Sequence, residues 1–181
     1  IKCPYTLDGI IYTGLNQIYT KDKRDHKYPI YKYKPPSKNS IDVYIKFHTN
    51  SETGEFLKVY DNTLTSFVKN KDHLIASLYV YDVVGGKQVP VPFMRNSNND
   101  EAYFPLVDGQ VRDIHNNVVL TNTVIELTYN NDPNIPHKYR WVIDRVRWDK
   151  TESVLKDGKK YGNYKDVAEK TWKSMREAVT L

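Results

Sequence analysis

The sequence predicts a mainly β protein of the α+β class, in which short antiparallel strands precede a C-terminal helix. One observation is the strict alternation of apolar and polar residues over 41–48, which is typical of a strand. A second is the pair Gly85-Gly86 between two apolar runs, which indicates a β-hairpin. A third is the spacing of apolar residues by three or four positions across 163–179, which predicts an amphipathic helix that begins after Asn163 as its N-cap.

Other strands are predicted from short apolar or alternating runs, namely 9–12, 30–34, 56–60, 74–84, 89–93, 118–129 and 140–148. The first of these is apolar throughout and is predicted to be buried. Pro90 and Pro92 mark the second arm of the hairpin as an edge strand, because proline cannot donate to a neighbouring strand. A partly closed barrel of the OB type fits this middle region. An immunoglobulin-like sandwich remains an alternative, since periodicity cannot separate the two.

The composition is that of a folded intracellular chain with no membrane partner. Of the 181 residues, 27% are charged and 39% hydrophobic, and no apolar run reaches the length of a membrane span. Cys3 is the single cysteine, so an internal disulfide is excluded and a reducing, intracellular setting is expected.

The net charge of +5 is unevenly distributed along the chain. Residues 1–50 carry nine Lys and Arg against four Asp and Glu, and residues 136–181 carry twelve against seven. Residues 51–135 carry six against eleven. If the two basic ends meet in space, they form a cationic cleft of the kind that polyphosphate or RNA requires.

Two clusters near the N-terminus have the chemistry to bind phosphate. Asp8-Gly9 precedes an apolar strand, where a carboxylate can hold a metal ion or orient a phosphate. Lys32 and Lys34 lie two positions apart on a predicted strand, so both ammonium groups would point to one phosphate. Taken singly, an Asp-Gly turn and the solvent face of an edge strand explain these residues equally well.

The third cluster lies near the end of the chain. On a continuing strand, Arg145, Arg147 and Asp149 would share one face, with Lys150 beside them. Two guanidinium groups and an ammonium suit the β- and γ-phosphates of a nucleotide. A cross-strand row of ion pairs is the alternative interpretation of these residues alone.

Taken in order, these clusters and their flanks resemble the motifs of mRNA-capping guanylyltransferases, a family of covalent nucleotidyltransferases. Residues 7–13 are similar to motif IV, an Asp-Gly followed by apolar residues. Residues 32–42 resemble motif V in the form K-x-K-P, a polar spacer, then Ser-Ile-Asp. Residues 141–151 are similar to motif VI, W-x-x-x-R-x-R-x-D-K-T. The Asn-, Lys- and Tyr-rich style is most like the enzymes of large cytoplasmic DNA viruses.

The resemblance implies transfer of GMP from GTP, through a lysyl-GMP intermediate, to the 5′-diphosphate end of RNA. The catalytic residues it implies are Lys32, Lys34, Arg145, Arg147, Asp149 and Lys150. The two lysines would hold the α-phosphate, and the later residues would orient the β- and γ-phosphates. Nucleotide binding would also involve Asp8 and Gly9, and Asp8 would position Mg²⁺ or Mn²⁺. Localisation in the host cytoplasm or the virion is expected for a viral enzyme.

The resemblance also implies a domain organisation. Residues 1–45 would form the C-terminal strands of the nucleotidyltransferase domain, 46–155 an OB-fold domain, and 156–181 a closing helix. The partners would be GTP, 5′-diphosphate RNA and the rest of the capping enzyme, including triphosphatase and methyltransferase domains.

The nucleophilic lysine of the family is absent from this sequence. Capping enzymes carry it in a K-x-D-G motif, and no such motif occurs here. Lys156-Asp157-Gly158 lacks the spacer residue and is predicted to be a turn between strand and helix. We therefore expect this chain alone to form no GMP adduct. Two alternatives stay open: the C-terminal half of a polynucleotide ligase, and a non-enzymatic OB-type module that binds RNA or regulates a partner.

Overall fold

The computed structural model describes residues 9–15, 30–60 and 71–176. The predictions for Asp8 and for the helix beyond 176 therefore lie outside the described residues. The strands are β1 (Ile10–Tyr12), β2 (Tyr31–Tyr33), β3 (Ile41–Phe47), β4 (Lys58–Tyr60), β5 (Asp72–Val84), β6 (Lys87–Pro92), β7 (Glu101–Val107), β8 (Gln110–Val111), β9 (Thr123–Tyr129) and β10 (Trp141–Val146). The helices are α1 (Trp148–Asp157) and α2 (Lys165–Arg176). Neither of these helices is long and apolar enough to cross a membrane.

An eight-stranded antiparallel sheet makes up most of the fold. Its main path runs β10-β9-β3-β5-β7-β8, and β4 and β6 also pair with β5. The long strand β5 pairs with β4 and β7 along its first half and with β6 along its second. This change of partners along one strand accompanies the curling of the sheet into a half barrel. The mainly β architecture with a C-terminal helix that the sequence predicts is confirmed, in the curled form expected of an OB-type barrel.

The hydrophobic core lies on the inner side of this sheet. Alternate residues of β3 have no solvent exposure, as the period-2 pattern predicts. Helix α2 closes the core with one face, formed by Ala168, Trp172 and Met175. The ring of Trp172 packs 5.1 Å from that of Trp141 and 4.7 Å from that of Tyr129, measured between centroids. The predicted closing helix is thus confirmed, and its indole is the main contact.

The apolar run at the N-terminus is a strand, but the prediction that it is buried is wrong. Strand β1 pairs with β2 in a separate two-stranded sheet. The side chains of Ile10, Ile11 and Tyr12 are between 50% and 61% exposed. In the part of the chain that the structure describes, these three apolar residues therefore do not lie in a hydrophobic core.

Several predicted boundaries shift because turns interrupt the strands. The run 118–129 is a strand only from Thr123, since Asn122 takes a left-handed conformation just before it. The run 140–148 ends at Val146 and continues as α1, a helix that the sequence did not predict. Gly158, predicted to lie in a turn between strand and helix, instead ends α1, with φ at 60°.

The hairpin around Gly85-Gly86 is confirmed, with β6 pairing only with β5 among the described residues. Strand β3, however, spans the predicted boundary at 45 and lies between β9 and β5 in the large sheet. A division at 45 would cut this strand, so a boundary before Ile41 agrees better with the sheet. The remaining domain limits stay predictions.

Candidate functional site

Arg147 and Lys150 converge on the carboxylate of Asp42. The Arg147 Nη1 atom lies 2.7 Å and the Lys150 Nζ atom 2.6 Å from the same oxygen, Asp42 Oδ2. The Asp42 side chain is 8% exposed, whereas those of Arg147 and Lys150 are 23% and 19% exposed. A buried anion therefore holds two cations at the surface of the large sheet, which fixes their positions.

Two hydrogen bonds fix the start of α1 to β9, and a third closes the first turn of the helix. The Arg147 backbone N–H donates to Val124 O at 2.8 Å. The Val124 N–H donates to Thr151 Oγ1 at 2.9 Å, and that hydroxyl donates to Arg147 O at 2.9 Å. Thr151 is buried, so these bonds are shielded from water. They explain why the chain turns into a helix directly after β10 and why Lys150 faces Asp42.

Asp149 forms a two-pronged ion pair with Arg147. The Arg147 Nε and Nη2 atoms lie 3.0 Å and 2.9 Å from the two oxygens of Asp149. These hydrogen bonds from Arg147 lower the pKa of Asp149 to about 2, so the carboxylate is ionised at neutral pH. The same contact, together with the nearby Asp42 charge, raises the pKa of Arg147. Arg147 is therefore a permanent cation that connects two carboxylates.

A second ion pair lies beside the first on the same face. Glu126 on β9 is directly opposite Asp42 on β3 and opposite Arg145 on β10. Arg145 Nε donates to Glu126 Oε2 at 2.8 Å, and Ser40 Oγ donates to Glu126 Oε1 at 2.5 Å. Burial is the largest single influence and raises the pKa of Glu126, but the hydrogen bonds from Ser40 and Arg145 and the charges of Arg145 and Arg147 together outweigh it, so the pKa is lowered. Arg145 itself is more than half exposed.

The segment before α2 holds the backbone of Asp42 in place. The Asp42 N–H donates to Asn163 Oδ1 at 2.8 Å, and the Asn163 N–H donates to Asp42 O at 2.8 Å. A Cβ atom on Gly162 would lie 2.3 Å from Asp42 O, and its φ is +93°. Only glycine fits there. Asn163, predicted to cap the helix, instead uses its side-chain oxygen to bind Asp42.

The structure brings Gly9, the described residue of the first N-terminal cluster, beside the second cluster. Strand β1 pairs with β2, and Ile11 lies opposite Lys32. A Cβ atom on Gly9 would lie 2.3 Å from Tyr33 O, so Gly9 permits close approach to the residue between Lys32 and Lys34. Lys32 lies on the two-stranded sheet, with Gly9 and Lys34 at its ends, whereas Arg145 lies on the large sheet and Arg147 to Lys150 follow it. Asp8 lies outside the described residues.

The prediction that Arg145, Arg147 and Asp149 share one strand face is wrong. Strand β10 ends at Val146, and Asp149 and Lys150 belong to α1. The cluster is also balanced in charge. Its three cations are Arg145, Arg147 and Lys150, and its three carboxylates are Asp42, Glu126 and Asp149.

Two of these carboxylates were not among the predicted site residues. The sequence places Asp42 on the polar face of a strand and in the Ser-Ile-Asp sequence, and it gives Glu126 no role. The alternating pattern predicts an exposed polar face, but both faces of β3 are largely buried, so the sequence does not reveal that Asp42 is buried. A carboxylate at such a position needs a cationic partner.

The described residues bring together no group of three potential metal ligands. In residues 9–15, 30–60 and 71–176, no three His, Cys, Asp or Glu side chains cluster so as to hold an ion. Asp42, the buried carboxylate of the site, already binds two cations. A carboxylate ligand for Mg²⁺ or Mn²⁺ therefore remains predicted only at Asp8.

The fold and the site together define a curled β domain that presents an ordered Arg and Lys cluster with hydrogen-bond donors at its surface. No protein-family model matches the chain. The chain is 37% identical, over 182 aligned positions that cover 98% of it, to a probable mRNA-capping enzyme of Acanthamoeba polyphaga mimivirus. The resemblance to the capping enzymes of large DNA viruses is thereby confirmed. The chain spans 15% of the length of that relative.

Proposed function

We propose that this chain is the C-terminal, phosphate-binding part of an mRNA guanylyltransferase. In the whole enzyme, GMP would pass from GTP to a lysine and then to the 5′-diphosphate end of an RNA. The observation that carries the proposal is the convergence of Arg147 and Lys150 on Asp42, at the motif that most resembles the family. The 37% identity to a probable capping enzyme supports the same reaction class.

The donors that remain in the cluster are suited to phosphate oxygens. Arg147 has five N–H groups, of which three bind Asp42 and Asp149, so two remain. Lys150 uses one of its three N–H groups on Asp42. Arg145 uses only its Nε on Glu126, which leaves its two terminal nitrogens. A β- or γ-phosphate that approaches this surface would meet donors already held in position, which is how a site lowers the barrier to phosphoryl transfer.

Asp42 has a positioning role in this proposal. A charge-balanced cluster binds no anion by net charge alone, so affinity must come from directed hydrogen bonds. Asp42 orients Arg147 and Lys150 while leaving part of each exposed. Removing the charge of Asp42 would allow both cations to adopt other rotamers. Their N–H donors would then no longer be held where a phosphate could meet them.

The two-stranded sheet is proposed to supply the other half of the site. Lys32 and Lys34 would neutralise the α-phosphate, and Gly9 would allow the close approach to Tyr33 beside them. Asp8 would be the protein ligand of a Mg²⁺ or Mn²⁺ ion that accompanies GTP. The proposed setting is the host cytoplasm or the virion, and the proposed partners are RNA and the rest of the enzyme, with triphosphatase and methyltransferase domains.

A polynucleotide ligase remains the competing enzyme. Its nucleotide would be ATP rather than GTP. The name of the mimivirus relative favours capping, as does the Ser-Ile-Asp sequence that places Asp42 in the cluster. Nucleotide preference in the longer protein separates the two reactions.

Labelling with α-³²P-GTP tests the proposal. We expect the 181-residue chain alone to give no acid-stable labelled band, because it has no K-x-D-G lysine. The full-length protein should give one with GTP and none with ATP, and should pass the label to 5′-diphosphate RNA. A labelled band from the chain alone would contradict its proposed inactivity, and a band with ATP only would contradict the reaction class.

A further inference from the structure

The side of β3 that faces away from the main core carries more than the Asp42 cluster of three cations and three carboxylates. Residues two positions apart on a strand share a face, so Asp42, Tyr44 and Lys46 lie in one row. Lys46 is four positions from Asp42, about 13 Å along the strand. Tyr79 on β5 lies opposite Tyr44. This face therefore continues directly from the cations that are proposed to bind phosphate.

Three tyrosine rings pack together on this face and form the tyrosine cluster (Tyr44, Tyr79 and Tyr161). The ring of Tyr44 lies 6.2 Å from that of Tyr79 and 5.3 Å from that of Tyr161, measured between centroids. Tyr44 is buried, and its hydroxyl donates to Asn122 Oδ1 at 2.9 Å, which fixes the ring in place. Tyr79 and Tyr161 are both partly exposed. They form the border of the cluster that a ligand can reach.

Lys46 places a cation beside the tyrosine cluster. Its Nζ atom lies 5.8 Å from the ring centroid of Tyr44 and 5.8 Å from that of Tyr79. Lys46 is exposed, and among the described residues it forms no hydrogen bond or ion pair. An accessible cation next to aromatic rings is typical of a surface that binds single-stranded nucleic acid, because phosphates meet the cation while bases stack on the rings.

A carboxylate on the same face has its own cationic partner. Glu101 on β7 lies opposite Ser77 of β5, and Ser77 lies opposite Lys46. The Lys138 Nζ atom is 2.9 Å from Glu101 Oε1, so this negative charge is paired. The Ser77 hydroxyl lies 2.7 Å from His48 Nε2. The side chains beside Lys46 therefore oppose the approach of a phosphate only weakly.

We propose that the tyrosine cluster and Lys46 bind the first nucleotides of a single-stranded RNA. A base would stack on Tyr79 or Tyr161, and a phosphodiester would bind Lys46. The 5′ end of the RNA would then point along β3 to the Asp42 cluster. The proposal rests on the proposed function for its RNA partner, but the binding itself requires neither GTP nor the K-x-D-G lysine.

A duplex or an acidic peptide would fit this face less well than a single strand. The bases of a duplex are stacked on one another, so they are not free to stack on a tyrosine ring. An acidic peptide would pair with Lys46 but would offer no flat ring to the tyrosine cluster.

Fluorescence anisotropy with the 181-residue chain tests this site. The probes are a single-stranded RNA with a 5′-hydroxyl end, an abasic RNA of the same length, the same RNA as a duplex, and a polyglutamate peptide. We expect the intact single strand to bind about tenfold more tightly than the abasic strand, the effect of one base stacked on an aromatic ring. Equal affinity for these two strands, tighter binding of the duplex or the peptide, or no binding of RNA would overturn the proposal.

GMP labelling of the full-length protein is a separate measurement. If the labelling fails while intact RNA still binds more tightly than abasic RNA, the transfer reaction is contradicted and the RNA site is not. If the labelling succeeds while the two strands bind equally, the RNA site alone is contradicted.

Protein variants with matched controls locate the contacts. Tyr79→Leu should weaken binding of the intact strand about tenfold and leave that of abasic RNA unchanged, whereas Tyr60→Leu, at an exposed tyrosine on β4, should change neither. Lys46→Gln should reduce the salt dependence by about one phosphate contact, and Lys87→Gln, at an exposed lysine on β6, should have a much smaller effect. Equal effects within either pair would overturn the assignment. If Tyr79→Leu fails to fold, the abasic probe decides, since it leaves the protein unchanged.

Discussion

The carboxylate of Asp42 and the guanidinium of Arg147 lie 2.7 Å apart, although 105 positions separate them in the chain. Asp42 is on β3, and Arg147 is the residue immediately before α1. Lys150 reaches the same carboxylate oxygen from the first turn of that helix. One buried anion therefore ties the first helix to the sheet and orders the two cations on which the proposed function depends.

Asp42→Asn should destabilise the fold, because it leaves two cations beside a partner that has lost its charge. Since both cations are partly exposed, we expect the free energy of unfolding to fall by about 2 kcal/mol, less than for a fully buried pair. Urea denaturation measures this change. Glu152→Gln is the control, because the Glu152 pair with Lys156 is exposed on α1. A loss no larger than that of the control would show that the Asp42 pairs contribute little.

Gly162→Ala should be more damaging than an alanine at another glycine with a positive φ. A Cβ atom on Gly162 would collide with the backbone of Asp42 at 2.3 Å, whereas nothing lies within 4 Å of one on Gly85. Gly85→Ala should therefore lose about 1 kcal/mol from backbone strain alone, and Gly162→Ala considerably more. Thermal unfolding of both variants checks the order. Equal losses would mean that Asp42 and Gly162 are not in close contact.

Thr151→Val should lower the free energy of unfolding by about 1–3 kcal/mol, because it leaves the Val124 N–H without its acceptor. Thr151→Ser keeps the hydroxyl and should lose less. Urea denaturation of the pair isolates the hydrogen bond from the shape of the side chain. If valine is as stable as serine at this position, the hydroxyl does not anchor α1 to β9.

The stability of the chain should fall on mild acidification. Burial lowers the pKa of His73, whose Nδ1 donates to Lys71 O at 2.9 Å. Below about pH 6.5 the unfolded chain takes up a proton at His73 that the folded chain resists, so unfolding becomes easier. The stabilisation that His73 contributes is present above about pH 6.5 and is lost as the pH falls below it.

Melting temperatures measured between about pH 7.5 and about pH 5.5 test this dependence. His73→Asn retains a donor for Lys71 O but does not titrate, so its melting temperature should fall less over the same range. His137 should account for part of the slope that remains, because its pKa is lowered too. An unchanged slope in His73→Asn would contradict the assignment.

The sequence predicted the strands, the turn and the helix whose geometry depends on neighbouring residues alone. The alternation in β3, the glycine pair between β5 and β6 and the spacing in α2 each report a geometry that neighbouring residues set. Helix α1 was missed because residues 145–149 alternate like a strand. The bonds that make them turn involve Val124, which the pattern around Arg147 does not contain.

The sequence predicted the cations of the site but not the carboxylates that balance their charge. Family resemblance indicated Arg147 and Lys150, and the structure brings them together on one oxygen. Their partner Asp42 is more than a hundred positions away, so only the pairing of β3 with β9 brings it near. The exposure of β1 was likewise not predictable, because apolar residues on a two-stranded sheet have the same pattern as buried ones.

The most direct test of the phosphate-binding role is GMP-adduct formation by the full-length protein that carries Lys150→Ala. Lys156→Ala, an exposed lysine of the same helix that pairs with Glu152, is the matched control. We expect the Lys150 variant to form adduct about a hundredfold more slowly, the usual effect of removing one preorganised charge contact, and the control to keep its rate. Equal rates in the two variants would contradict the proposal that this cluster binds the phosphates of GTP.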